Sequence, residues 1–220
     1  MSANARLRLA RLLIWTGGLL PLALLAERIV HDRLGANPIE YLERDLGDWS
    51  LRLLLLALAM TPLRSVTGWQ WPLRLRRTVG LFAYAYVCLH VAVYIVFDLD
   101  ILNPAQALAQ LADDLAKRLY ITAGFAAWLF LTPLAITSTD GWQRRLKRRW
   151  KTLHRLVYPA AVGGVLHYVW LVKKDLTEPL LYAAILGLLL VWRWPWPKVR
   201  GAILRARSDP ASPLRDQTFR

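Results

Sequence analysis

WKTLHRLVYPAAVGGVLHY, residues 150–168, places two of the four histidines of the chain, His154 and His167, in one segment that is mostly apolar. Its length is close to the roughly 20 apolar residues with which a helix crosses a bilayer. Ionisable side chains are costly inside a membrane, and those found there usually take part in function. The segment therefore predicts a membrane-spanning helix that carries a functional site.

The composition of the whole chain also favours a membrane protein. Of the 220 residues, 56% are hydrophobic and 11 are tryptophan, so most of the surface must face something other than water. A net charge of +14 would suggest a nucleic-acid partner only if the basic residues formed one patch on a folded surface. They lie between apolar runs instead, which argues against nucleic acid and favours a role in membrane topology.

Apolar segments at six places predict an all-α bundle of six transmembrane helices. The second segment is short and contains Arg52, so its ends are poorly defined by the sequence. The first follows Arg6, Arg8 and Arg11 and also resembles a cleaved signal peptide. Five further segments follow it, which favours an uncleaved first helix. The predicted spans are residues 12–30, 49–63, 79–97, 119–137, 153–172 and 178–194.

The distribution of charge predicts the orientation of this bundle. The N-terminus, residues 64–77, residues 144–151 and the C-terminal region hold 20 of the 29 lysines and arginines. By the positive-inside rule these parts, and therefore both termini, are cytoplasmic. The opposite loops hold 12 of the 15 acidic residues and face the periplasm. One membrane domain is predicted over residues 1–207, followed by a disordered cytoplasmic tail at residues 208–220.

His90 in the third span and His167 in the fifth are expected at similar depths. His90 lies 12 residues, or roughly 18 Å, beyond Thr78, and His167 lies 15 residues, or roughly 22 Å, beyond Thr152. Both helices run outward, so the two rings can bind one iron from opposite faces. Without a cysteine or carboxylate cluster beside them, they suit axial ligation of haem better than a zinc site. The single cysteine, Cys88, excludes a cysteine-ligated iron–sulfur cluster within the chain.

His154 is expected at the cytoplasmic edge of the same helix as His167. The 13 residues between them correspond to roughly 20 Å and to rings some 140° apart around an ideal helix. A kink at Pro159 can change that rotation. His154 is therefore either a further haem ligand or a polar ring at the level of the headgroups. His31 directly follows the first span and is interpreted as a solvated interfacial histidine outside the site.

Short motifs occur in a fixed order along most of the chain. They are RRTVGL (76–81), LH (89–90), YITAG (120–124), TST (137–139), WKTLHRLVY (150–158) and LHY (166–168). The series resembles the MsrQ family of haem-binding membrane subunits, formerly called YedZ, over about residues 10–200. That family is related to ferric-reductase-like transmembrane proteins and to the membrane part of NADPH oxidases.

The resemblance implies a b-type cytochrome of the bacterial inner membrane, with haem b (one or two groups) and FMN as cofactors. It places His90, His154 and His167 at haem-associated positions. Electrons would come from the quinone pool or a cytoplasmic flavin reductase and pass to MsrP, a periplasmic molybdenum-cofactor enzyme that reduces methionine sulfoxide in oxidised proteins. The chain would transfer electrons, with sulfoxide reduction in the partner. Oxidases of the wider family carry two histidines on each ligand helix, whereas the third span here has one.

A second class of function uses the same histidines without haem, in a proton-coupled permease or a membrane scaffold. A permease predicts acidic partners within the spans and paired broken helices in two halves of the chain. The predicted spans contain carboxylates only at their boundaries, and no internal repeat is visible. The sequence also has no dinucleotide-binding fingerprint, so nicotinamide-derived electrons would have to arrive through another protein.

Overall fold

The computed structural model describes residues 3–99 and 102–193, and these residues form helices and no strands. The tail predicted at residues 208–220 and the last residue of the sixth predicted span lie outside the described residues. The helices are α1 (Ala3–Val30), α2 (Pro38–Thr67), α3 (Trp71–Val93), α4 (Pro104–Lys117), α5 (Leu119–Ile136), α6 (Asp140–Leu146), α7 (Arg148–Leu153), α8 (Val157–Leu171) and α9 (Thr177–Trp192). A π-helical turn, Tyr94–Asp98, extends α3, and a 3₁₀ turn, His154–Leu156, joins α7 to α8.

The prediction of an all-α membrane protein is confirmed. In the part of the chain that the structure describes, four stretches of helix are long and apolar enough to cross a bilayer: Leu7–Val30, Pro38–Thr67, Trp71–Asp98 and Leu119–Ile136. The fifth and sixth predicted spans coincide with α8 and α9, which are apolar but have only 15 and 16 residues. The number of spans and the side of the termini therefore stay predictions.

Helix α2 is longer than the second predicted span, 49–63. It begins at Pro38, where the side chain of Asn37 accepts the backbone N–H of Glu40 at 3.3 Å and proline occupies the first turn. It ends at Gly68, whose φ of +70° is the left-handed conformation that closes many helices. The early turns carry acidic residues, so hydropathy alone could not locate the start of this helix.

Two helix pairs form the centre of the bundle. The α2 and α3 helices pack against each other as a hairpin closed at Gly68, and α5 packs along α8. Both pairs meet around side chains that are almost fully buried, including Leu58, Val79, Tyr86 and Ala160. The Tyr86 hydroxyl donates to the Gly18 carbonyl at 2.8 Å, which attaches α1 to α3. At one end of the bundle, the first turns of α3 and α8 lie close together and leave a space between the two helix pairs.

Large apolar side chains also cover the outside of the bundle. Leu12 on α1 is 64% exposed and Leu188 on α9 is 72% exposed. A soluble domain of this size would not leave so many leucines in contact with water. Lipid chains are the natural surroundings of this surface, so the structure agrees with the composition of the chain.

Candidate functional site

His90 on α3 and His167 on α8 face each other between the two helix pairs. Their ring centroids lie 6.0 Å apart, and the ring planes are inclined by 80°. The two residues are 77 positions apart in the sequence, and the packing of two separate helices brings them together. The sequence prediction of similar depth agrees with this arrangement.

Each of these rings is held by a hydrogen bond to a backbone carbonyl of a neighbouring helix. His90 Nδ1 lies 2.9 Å from the carbonyl oxygen of Glu43 on α2, and His167 Nδ1 lies 2.7 Å from that of Tyr120 on α5. A carbonyl oxygen only accepts hydrogen bonds, so Nδ1 must carry the proton in both rings. The lone pair of each neutral ring is then on Nε2, the nitrogen that remains free to bind a metal.

The donor set fits haem iron. Two neutral imidazoles offer two nitrogen ligands. The centroid separation of 6.0 Å leaves room for one metal ion between the rings, bound at about 2 Å from one nitrogen of each ring. Residues 3–99 and 102–193 contain no cluster of three or more histidine, cysteine, aspartate or glutamate side chains that could complete a zinc site. Two histidines could hold a haem iron, because the macrocycle supplies the other ligands.

His154 does not join this pair. It lies in the 3₁₀ turn between α7 and α8, where its ring stacks on Trp150 with a centroid distance of 3.9 Å. Its Nε2 lies 3.1 Å from the hydroxyl of Thr137, and that hydroxyl also lies 2.6 Å from the carbonyl of Pro133. Because the hydroxyl proton goes to the carbonyl, His154 donates from Nε2, the opposite tautomer from His90.

The turn at His154 changes the rotation expected for an ideal helix. A 3₁₀ helix has three residues per turn, so each of its residues advances about 20° more than an α-helical residue. Over His154–Leu156 this adds roughly 60° and reduces the expected separation of the His154 and His167 rings from about 140° to about 80°. Pro159 has no N–H to donate to the carbonyl of Arg155, which favours the break at this point. The sequence indicated the proline but not the size of the change.

His154 instead lines a cavity of about 600 Å³ near the basic end of the bundle. Its inner wall is apolar, and its rim carries several cationic side chains. The wall includes Leu54, Leu58, Leu131 and Leu134, and the rim includes Arg76, Arg77, Lys151 and Arg155. Neither His90 nor His167 lines this cavity, so the three histidines belong to two separate places in the bundle. The arginines and lysine of the rim are suited to bind an anionic group.

Two arginines order the helices around this cavity. Arg77 forms an ion pair with Asp140 at 3.0 Å, which connects α3 to α6. Arg193, at the end of α9, donates to the hydroxyl of Tyr158 at 3.1 Å and to the carbonyl of Leu58. The sequence alone did not assign a structural role to either arginine. Their position at the ends of apolar helices was the available signal for a structural role.

The opposite end of the bundle contains a helix that the sequence analysis treated as a loop. Helix α4 is attached by Asp114, whose side chain accepts from the hydroxyl of Tyr94 at 2.6 Å and from Nε of Arg118 at 3.2 Å. Its leucines at positions 108, 111 and 115 have helical spacing, which was the signal for it. His31 lies near the same end, exposed, with Nδ1 2.9 Å from the carbonyl of Glu27, as expected for a histidine outside the site.

Comparisons with known proteins agree on one family. Residues 46–165 match the family model of the ferric reductase like transmembrane component. The protein-methionine-sulfoxide reductase heme-binding subunit MsrQ of Xanthomonas axonopodis pv. citri (strain 306) is 46% identical over 213 residues, which cover 93% of this chain and 95% of the relative. The MsrQ of Rhodospirillum rubrum is 54% identical over 187 residues, which cover 84% of this chain and 88% of the relative. No solved structure matches the chain.

Proposed function

The chain belongs to the MsrQ family of haem-binding subunits and is a multi-pass protein of the bacterial inner membrane, and we propose that it is a b-type cytochrome that transfers electrons through the membrane. The observation that carries the proposal is the pair His90 and His167. Their ring centroids lie 6.0 Å apart, and each Nδ1–H is held by a backbone carbonyl. An ordered pair of free Nε2 atoms is what axial ligation requires.

His90 and His167 are assigned as the axial ligands of one haem b. When bound, haem supplies the one-electron chemistry, and the residues of the chain fix its position and its access to water. The carbonyl bonds at Nδ1 make the imidazoles more basic, which stabilises the ferric over the ferrous state. Ala83, Tyr86 and Val165 belong to the buried core of the helices that carry the two ligands.

His154 is assigned to the side at which electrons enter. It lines the cavity with the basic rim, on the same end of the bundle as the Arg76–Arg77 pair. This cavity is the proposed place for a donor group, which by the family resemblance is FMN, a quinol or a second haem. Its cationic rim suits a phosphate or carboxylate, and its apolar wall suits a ring system. His154 would then serve as a ligand or a hydrogen-bond donor to that group.

The proposed topology has six spans with both termini in the cytoplasm. In support, the helices α8 and α9 lie where the fifth and sixth apolar segments were predicted, and α8 continues α7 through a single turn. The basic residues around Arg77 and Lys151 lie on the side opposite the acidic outer loops. In this orientation His154 is cytoplasmic, and His90 and His167 lie toward the periplasm.

The proposed route runs from the cytoplasm to the periplasm. Electrons from the quinone pool or from a flavin reductase would enter near His154, and they would leave at the level of His90 and His167, the residues that would hold the haem. The acceptor is proposed to be the periplasmic reductase MsrP, which repairs oxidised methionines. The names of the relatives, which describe a heme-binding subunit of a protein-methionine-sulfoxide reductase, support this assignment. The outer segments 36–48 and 98–117 are the proposed docking surface.

A spectrum of the purified protein tests the proposal. We expect a haem Soret band that shifts on reduction, and we expect His90→Ala and His167→Ala each to remove the low-spin signal and to stop electron delivery. His31→Ala is the matched control, because that ring is exposed and outside the site. Folded but colourless protein from haem-replete cells would favour a permease or scaffold. A wild-type spectrum in both histidine variants would refute the ligand assignment.

A further inference from the structure

The carbonyl that holds His167 lies one helical turn before a glycine. In an α-helix the carbonyl of residue i accepts the N–H of residue i+4, so the carbonyl of Tyr120 already accepts from Gly124. His167 Nδ1 reaches the same oxygen at 2.7 Å and uses its second lone pair. The imidazole must therefore lie directly over the glycine. A Cβ added to Gly124 would be 2.7 Å from His167 Nδ1, closer than real Cβ contacts, and 3.1 Å from Cγ, which is a tight contact.

His90 repeats this arrangement on the other helix pair. Its Nδ1 binds the carbonyl of Glu43, and the residue four positions later is Gly47. A Cβ added to Gly47 would meet Cε1 and Nδ1 of His90 at 3.4 Å, which is ordinary van der Waals contact. The same carbonyl-and-glycine geometry thus occurs twice, with a tight approach at one ring and a looser approach at the other.

We propose that Gly124, and to a lesser degree Gly47, are positioning residues for the two iron-ligating histidines, each leaving the space through which an imidazole reaches the carbonyl one turn earlier. The proposal rests on the proposed function, because it concerns the same ligand pair. It explains why a poor helix former occupies these interior positions of α2 and α5. Gly187 on α9 shows the contrast, since a Cβ added there meets nothing within 4 Å.

Alanine at position 124 forces His167 to move away from α5. The hydrogen bond from Nδ1 to the Tyr120 carbonyl then lengthens or breaks, and the imidazole becomes a weaker base toward iron. Loss of such a partner typically lowers metal affinity by about 10-fold or more. A less basic ligand also stabilises ferric iron less, so the midpoint potential of the haem moves upward. Gly47→Ala keeps the ring in place and changes both quantities less, whereas Gly47→Val overlaps the ring of His90.

The test compares glycine variants of the full-length protein, purified in lipid nanodiscs from haem-replete cells. The measurements are the haem-to-protein ratio, the g-values of the low-spin ferric signal and the midpoint potential. We expect Gly124→Ala to retain about 10-fold less haem after dilution and to show shifted g-values and a higher potential in the fraction that keeps haem. Gly47→Ala should show smaller changes in the same direction.

Gly163→Ala is the matched control for a packing effect. A Cβ at this position meets the Ala123 carbonyl at 3.1 Å and the Ala127 Cβ at 3.3 Å, so it disturbs the same two helices without touching a ring. We expect a lower thermal midpoint with unchanged g-values and potential. Gly187→Ala should match the wild type in every measurement. The proposal is overturned if Gly124→Ala matches the wild type, or if Gly163→Ala reproduces its spectral shift.

A second pair of variants keeps the test decisive if Gly124→Ala does not accumulate. In His167→Gly the missing ring can be replaced by free imidazole, and the added imidazole must occupy the same space beside α5. We expect His167→Gly/Gly124→Ala to need a higher imidazole concentration to restore the low-spin signal, and equal concentrations would overturn the proposal. The ligand assignment fails on a different result, a wild-type spectrum in His90→Ala and His167→Ala.

Discussion

Replacing Tyr94 by phenylalanine should loosen the attachment of helix α4 at the outer end of the bundle. The side chain of Asp114 on α4 is only 8% exposed and accepts from the hydroxyl of Tyr94 at 2.6 Å and from Nε of Arg118 at 3.2 Å. Phenylalanine keeps the aromatic ring and removes only the hydroxyl. The carboxylate then stays in place with Arg118 as its remaining partner, and α4 keeps only the bond from Gln110 to the carbonyl of Asp98, at 2.8 Å, as its hydrogen bond to the π-helical turn.

The size of the effect follows from the type of hydrogen bond. A hydrogen bond to a charged group contributes about 1.5–3 kcal/mol to stability. Each 1.4 kcal/mol is a factor of ten in an equilibrium constant, so the detached population of α4 should rise by roughly 10- to 100-fold. The change is local, because Tyr94 lies beyond the end of α3 and the core around Tyr86 is untouched.

Hydrogen exchange in nanodiscs measures this population directly. We expect the amides of Pro104–Lys117 to exchange roughly 10- to 100-fold faster in Tyr94→Phe, with little change in Leu119–Ile136. Tyr84→Phe is the matched control, because it removes a neutral hydrogen bond of 3.3 Å to Thr132 in the interior. It should leave the exchange of α4 unchanged.

The functional consequence follows if α4 is part of the docking surface for the acceptor. Reoxidation of the haem by MsrP should then slow in Tyr94→Phe, while the haem spectrum stays as in the wild type. Unchanged exchange of α4 would refute the assigned role of the Tyr94–Asp114 bond. Faster exchange with an unchanged reoxidation rate would remove α4 from the docking surface.

Three further results are expected. Reporter fusions test the topology. Fusions after Arg77 and Lys151 should report a cytoplasmic location, and a fusion near Asp113 should report a periplasmic one. A cytoplasmic location at Asp113 would invert the orientation. His154→Ala should keep the low-spin haem signal of the His90 and His167 site. It should slow the reduction of haem by a cytoplasmic donor, measured by stopped-flow absorbance. Loss of the entire haem signal would contradict a separate entry site. Inside-out vesicles given a quinol or reduced flavin outside should reduce the haem, and MsrP enclosed in the lumen should reoxidise it; reoxidation only by externally added MsrP would reverse the proposed route.

Local sequence features were sufficient for the all-helical membrane class and for several of its long helices. Apolar length identified the segments that became α1, α3 and α5, because a bilayer-crossing helix satisfies its own backbone and needs only an apolar surface. Counting residues at 1.5 Å each placed His90 and His167 at similar depths, because the rise of a helix is nearly constant. Hydropathy failed for the start of α2 and for α4, since both contain charged residues that lower the hydropathy although ion pairs four residues apart, such as Asp48–Arg52 and Asp113–Lys117, are compatible with a helix.

The sequence by itself determined the class of protein and two histidines that lie inside apolar segments, because hydrophobicity and helical rise are local properties. The tertiary structure decided which atoms of those histidines are free. The Glu43 and Tyr120 carbonyls that hold each Nδ1 are main-chain atoms, which every residue has, so no residue pattern marks them. The rotation of His154 relative to His167 was likewise decided by the turn at His154–Leu156, where a lost backbone hydrogen bond and the packing of α8 on α5 set an angle that residue counting cannot give.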